Sequence, residues 1–146
     1  MNKNKKLLDY QEKWEIICDK ASKDYYRLSS AERVWYNIQG LIGTVDNGGF
    51  ISFFYNYNAD YYEETIKDLM KLEQKNIVHL LEMYAKIFPN NIVPKSIEER
   101  NNIINSLPDD GKINDMCEET DRMFYKYEDE LEQFLINYLL KNKVID

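Results

Sequence analysis

Glu32-Arg-Val-Trp-Tyr-Asn-Ile-Gln-Gly40-Leu-Ile-Gly-Thr-Val-Asp-Asn-Gly48-Gly49-Phe50-Ile-Ser-Phe-Phe-Tyr-Asn-Tyr-Asn-Ala-Asp60-Tyr-Tyr-Glu-Glu-Thr65 holds four of the chain's five glycines and three of its six phenylalanines. Val34, Ile38, Leu41, Ile42 and Val45 recur at the three- and four-residue steps of one helix face. Ser29, three residues before Glu32, supplies the Ser-x-x-Glu box that satisfies two orphan amides at a helix start. Gly40 and Gly43 fall inside this helix, where each costs up to about 1 kcal/mol against alanine. A close approach by a neighbouring helix, or a loose helix end, would each account for them. Asp46-Asn47-Gly48-Gly49 reads as a helix C-cap and turn, with Gly48 or Gly49 at positive φ. Its flanks do not alternate, so the Asn-Gly pair is not a hairpin signal. Phe50, Phe53 and Phe54 then form a short helical turn whose rings fill the core. Tyr55, Tyr57 and Tyr61 suit either the core or a wet edge, since their hydroxyls seek water. Asp60 with Glu63 predicts a second helix start, with the aspartate as cap.

Outward from that stretch the pattern stays helical. Tyr10, Trp14, Ile17, Cys18 and Ala21 mark a helix from about Lys5 to Lys23. Tyr62, Ile66, Leu69 and Met70 mark the buried face of another. After a break near Glu73 to Asn76, Ile77, Leu80, Leu81, Tyr84 and Phe88 mark the next. Pro89 to Pro94 is a loop, Ser96 with Glu99 caps a helix towards Leu107, and Pro108-Asp109-Asp110-Gly111 is a turn. From Ile113 to Leu139 the helical period runs without Pro or Gly, as one helix or as two with a kink near Tyr125. The sum is one all-α domain over residues 1–146, of about seven helices.

The 146 residues carry a net charge of −7. Residues 109 to 132 contain ten acids and three bases, so this segment accounts for the whole net charge. Such a segment repels nucleic acid and anionic membrane and attracts a basic protein surface. Asp115, Glu118, Glu119, Asp121, Glu128, Asp129 and Glu132 fall away from the apolar stripe and predict an acidic ridge, which Asp109 and Asp110 extend. These nine residues are the candidate partner-binding set. The plainer reading is a solvated helix face. Carboxylates on successive turns lie about 5–6 Å apart, within a factor of two of the phosphate spacing of a nucleic-acid strand. No run of eighteen apolar residues marks a membrane span. A basic start followed by Leu-Leu-Asp-Tyr-Gln-Glu-Lys does not make a signal peptide. Cys18 and Cys117 fit two thiols in a reducing cytoplasm, with a disulfide as the alternative.

Site chemistry is sparse. His79 is the one histidine and has no cysteine pair beside it, so no zinc site is expected. Asp109-Asp110-Gly111 lacks the ligand order of a calcium loop. No nucleophile elbow, Walker motif or dinucleotide fingerprint occurs. No cofactor, metal or enzymatic activity is expected.

Val45-Asp46-Asn47-Gly48-Gly49-Phe50, then Phe53-Phe54-Tyr55-Asn56, then Asp60 with Glu63-Glu64-Thr65 resemble a bacterial family of small helical proteins named after a DNA-mimic protein. Leu81 to Pro89, Asp121 to Tyr125, Glu128 to Leu131 and Tyr138 extend the resemblance over about residues 25–142. Ser52 and Ala59 depart from the family's usual glutamine and glycine. Within the motif, Asn47, Gly48, Gly49, Phe50, Phe53, Phe54, Asn56 and Asp60 are expected to be mainly structural. The resemblance implies an all-α homodimer whose acidic surface imitates the DNA backbone and covers the DNA-binding face of a transcription factor. It thus implies a non-enzymatic, cytoplasmic partner of a basic protein that binds neither nucleic acid nor membrane. Two other readings stay open: an immunity-type inhibitor of a basic nuclease toxin, and a small-ligand binder using an aromatic cleft between Phe50 and Tyr62.

Overall fold

A computed structural model describes residues 5–109 and 111–146. Six α-helices build it: α1 (Gln11–Lys23), α2 (Ser30–Tyr55), α3 (Tyr62–Lys71), α4 (Lys75–Ala85), α5 (Ile97–Asn105) and α6 (Gly111–Lys141). Four 3-10 turns, at Leu7–Tyr10, Tyr25–Arg27, Tyr57–Tyr61 and Pro89–Asn91, join them, and the described residues contain no strand. The first expected helix is therefore a 3-10 turn leading into α1.

Helix α2 is central and packs on α1, α3, α5 and α6. Its start is the expected box: Glu32 N–H donates to Ser29 Oγ (3.2 Å), and Ser29 N–H donates to Glu32 Oε1 (2.8 Å). Lys20 adds an ion pair to the same oxygen at 3.0 Å, which brings α1 to the cap. The Gly48-Gly49 pair ends the first helical arm of α2, as expected, and a second helical arm begins at Phe50. Gly48 sits at φ −164° and ψ 22°, Gly49 at φ 78° and ψ −178°, and the chain resumes helical geometry through Tyr55. The glycine pair thus works as a hinge between two arms of one element, and only Gly49 needs a left-handed φ. Val34, Trp35, Ile38, Leu41 and Val45 bury one arm, and Phe50, Phe53 and Phe54 bury the other. The phenylalanine rings mesh with those of later helices: Phe50 meets Phe124 edge-on at 5.3 Å, and Phe54 stacks on Tyr84 at 5.3 Å.

Helix α6 runs unbroken for 31 residues, so no kink occurs at Tyr125. At 1.5 Å per residue it is about 46 Å long. Phe124, Leu131, Leu135, Ile136 and Leu139 press its inner stripe onto the core. The break expected near residues 73 to 76 joins two helices, with Leu72, Glu73 and Gln74 between α3 and α4. Glu73 takes φ 58° and Gln74 N–H bonds back to Leu69 C=O at 2.9 Å, the left-handed stop of a Schellman motif. Lys143 (φ 58°) ends α6 in the same way, with Val144 N–H on Leu139 C=O at 2.9 Å. Met70, expected inside, is 46% exposed because the inner face of α3 is filled by Thr65, Asp68 and Leu69.

Asp60 does not cap α3. No side chain caps that helix, whose N-cap is Tyr61. The Asp60 carboxylate is taken instead by the fully buried Arg100 at 2.7 Å. Arg100 also donates from Nε to Phe54 C=O, from Nη1 to Pro94 and Lys95 C=O, and from Nη2 to Asn56 C=O, all within 2.8–3.0 Å. One guanidinium thereby closes the C-terminal end of α2 and ties it to α5 and the loop before it. The rigid fork of arginine suits this task, and lysine cannot imitate it. Removing one partner of such a buried set costs about 3–5 kcal/mol. Arg100→Lys and Arg100→Met should both lower the unfolding free energy by about 3 kcal/mol or more, measured by urea denaturation.

Candidate functional site

The solvent side of α6 carries the acidic ridge, but its composition is mixed. Asp115, Glu118, Glu119 and Asp129 are exposed, together with Glu130. Asp115, Glu119, Arg122, Lys126 and Asp129 follow one another at helical spacing along one row. Arg122 and Lys126 are exposed too and divide the row, so the carboxylates form two groups about 15 Å apart along the axis. Asp109 is exposed in the loop before the helix, and Asp110 lies outside the described residues.

Three expected ridge residues face the body of the protein instead. Asp121 Oδ1 accepts the Phe50 N–H at 2.9 Å, at the bend of α2. The bend has no helical acceptor for that amide, and the carboxylate supplies one. A Cβ on Gly49 would collide with the Asp121 carboxylate, so the second glycine is required both by its φ and by this neighbour. Burial pushes the Asp121 carboxyl above its usual range, and the Phe50 amide opposes the rise. Glu132 Oε1 accepts the Leu7 N–H at 2.9 Å and anchors the first turn of the chain to α6. Glu128 turns towards Asp46 on α2. Its carboxyl is raised to about 8, chiefly by burial, then by contact with Asp46 and by the charges of Asp129 and Glu132. One turn earlier, Tyr125 donates to Val45 C=O at 3.1 Å, on the near side of the bend.

Phe50, Phe53 and Phe54 are buried and Asn47 is exposed. Asn56 turns its amide back to Ser52 C=O while its own carbonyl serves Arg100. The stretch from Phe50 to Tyr62 therefore forms core more than cleft. Only Tyr62 of that stretch lines the 650 Å³ cleft between α3 and α4, with Ile66, Lys67, Glu82 and Lys86. Tyr55 binds Asn105 Oδ1 at 2.5 Å, Tyr61 stacks on Tyr25 at 3.6 Å, and Tyr57 is exposed. Cys18 and Cys117 are free thiols, the latter against the Tyr84 hydroxyl at 2.8 Å. His79 is exposed, and among the described residues no three His, Cys, Asp or Glu side chains group to hold a metal ion.

Sequence reasoning missed Asp46 as the partner of Glu128, because it read Asp46 as part of a helix stop. It also missed the buried chain in which Asn37 Nδ2 donates to Tyr25 Oη (2.9 Å) and Asp68 Oδ2 (2.8 Å). A polar residue on the apolar stripe of α2, four positions before Leu41, is the signal that pointed there.

With this geometry in hand, comparison with known families gives a match over residues 26–142 to the family described as DMP19-like protein. No curated protein and no solved structure matches the chain. No helix among the described residues is long and apolar enough to cross a membrane.

The raised Glu128 carboxyl has a stability consequence. Its ordinary value is 4.5 and its folded value about 8, so the folded state holds the extra proton between those limits. Stability from this group is present below the lower value and is lost as pH rises through the higher one. Glu128→Gln should flatten the fall in melting temperature between pH 5 and 8 and leave the variant the more stable form at pH 8.5. Thermal unfolding of both proteins across that range checks it.

Proposed function

This chain belongs to the DMP19-like protein family, and from that premise we propose that it is a non-enzymatic DNA mimic. Its exposed α6 carboxylates occupy the basic nucleic-acid-binding surface of another protein, such as a transcription factor, in the cytoplasm. One observation carries the reading beyond the family name. Asp115, Glu118, Glu119 and Asp129 stand exposed on a helix that is unbroken for 31 residues and buried on one stripe from Thr120 onward, so helical geometry sets their spacing. A partner surface of Lys and Arg then meets fixed charges and loses little by ordering them. The contact is screened within about 10 Å at 0.1 M salt, so it weakens steeply as salt rises.

Mimicry predicts competition with DNA. Proteins of a native lysate are loaded on DNA-cellulose at low salt and challenged with the purified protein. The wild type should release Lys/Arg-rich DNA-binding proteins, identified by mass spectrometry. The variant with Asp115, Glu118, Glu119 and Asp129 all changed to Lys should release none while keeping its circular dichroism. Equal release by that variant, or no release by the wild type, overturns the reading.

A further inference from the structure

Beside the ridge, α1, α2 and α6 enclose a groove of about 470 Å³. Trp14 and Tyr36 form one wall, their rings stacked at 6.2 Å. Asp46, Glu128 and Glu132 also line it, as do Gly40 and Gly43, which fall between Tyr36 and Asp46 along α2. The two glycines differ in what explains them. A Cβ on Gly40 would collide with the Asn58 amide, so the chain itself occupies that space. A Cβ on Gly43 would meet nothing within 4 Å. Glycine is a poor helix former, and here no internal contact or left-handed φ asks for one. The bare backbone at Gly43 opens the groove to something from outside the chain.

The walls define the chemistry of that occupant. An aromatic face favours a flat apolar or cationic group, and guanidinium stacks well on such rings. Clustered carboxylates favour a cation that can bond two oxygens at once. We propose that this groove receives an arginine side chain of the protein partner, with the guanidinium against Asp46 and Glu128 and its stem along Gly43 between the aromatic wall and α6. The inference rests on the masking reading for the source of that arginine. The exposed ridge would steer the partner, and the groove would hold it in register.

The crowding of acids fits this assignment. Glu128 is faced by Asp46 from α2 and by Asp129, Glu132 and Tyr125 on its own helix. Its raised carboxyl is held up by burial and by these neighbours. An arriving guanidinium offsets that repulsion and expels the proton, so the cation binds more tightly as pH rises from 6 to 9.

An acetylated and amidated hexa-arginine peptide is the probe, titrated against the full chain at low salt with tryptophan fluorescence as the readout. Wild type should bind with a change in emission and with affinity rising at least fivefold between pH 6 and 9. Gly43→Leu fills the groove without altering charge. It should weaken binding at least tenfold and leave the melting temperature unchanged or higher. Glu128→Gln, nearly isosteric, should weaken binding and remove most of its pH dependence, which keeps the test decisive if Gly43→Leu misfolds. Unchanged affinity in either folded variant, or a peptide that leaves the emission of the wild type unaltered, overturns the proposal. DNA-cellulose release that survives Gly43→Leu refutes the groove alone. Groove binding in a protein that releases nothing from DNA refutes the masking reading alone.

Discussion

A carboxylate on α6 holds the bend in α2, the element on which α1, α3, α5 and α6 all pack. Where the chain passes Gly48 and Gly49, the helical ladder is interrupted and the Phe50 amide loses its partner. Asp121 accepts that amide, and the missing Cβ of Gly49 makes room for it. One turn along the same helix, Tyr125 donates to the Val45 carbonyl on the other arm. Two side chains of one helix thus satisfy one donor and one acceptor across a single bend. The angle they set delivers the Phe50 ring to Phe124 and the Phe54 ring to Tyr84 and Phe88. Arg100 then fixes the far end of the second arm, through carbonyls that the end of a helix leaves open.

The features legible in the sequence were those written in neighbouring residues. The Ser29-x-x-Glu32 box, the Ser96 cap, the phenylalanine turn and the long apolar period of α6 all depend on partners a few positions away. What escaped depends on partners far along the chain. Asp60 looks like a cap from its local setting, and it takes another role because Arg100, forty positions later, reaches it. The left-handed stop at Lys143 carries no glycine, so the usual mark of a helix end is missing there, whereas the break at Glu73 is legible from the lapse of the apolar period. The Gly48-Gly49 pair reads correctly as an ending, but nothing nearby shows that a carboxylate from α6 accepts the first amide of the arm beyond it.

The acidic segment teaches the same lesson in charge. Its net charge equals that of the whole chain, yet only part of it forms a free surface. Asp121 and Glu132 serve backbone amides, and Glu128 is set against Asp46. The helical period separates the two classes: residues at the edge of the apolar stripe turn inward to the body of the protein, and those opposite it face solvent. Asp115, Glu118, Glu119 and Asp129 stay exposed, in two groups divided by Arg122 and Lys126. For the partner we propose, a patterned surface of this kind would give register as well as attraction.

This division of α6 between structure and surface is the central claim, and stability measurements on two charge variants test it most directly. In one, Asp115, Glu118, Glu119 and Asp129 are neutralised to Asn or Gln. In the other, Asp121 and Glu132 are changed to Ala. The account predicts that the outer set alters the unfolding free energy by no more than about 0.5 kcal/mol. Each inner residue leaves an amide unsatisfied and should cost about 1–3 kcal/mol. Equal losses from the two sets would contradict it.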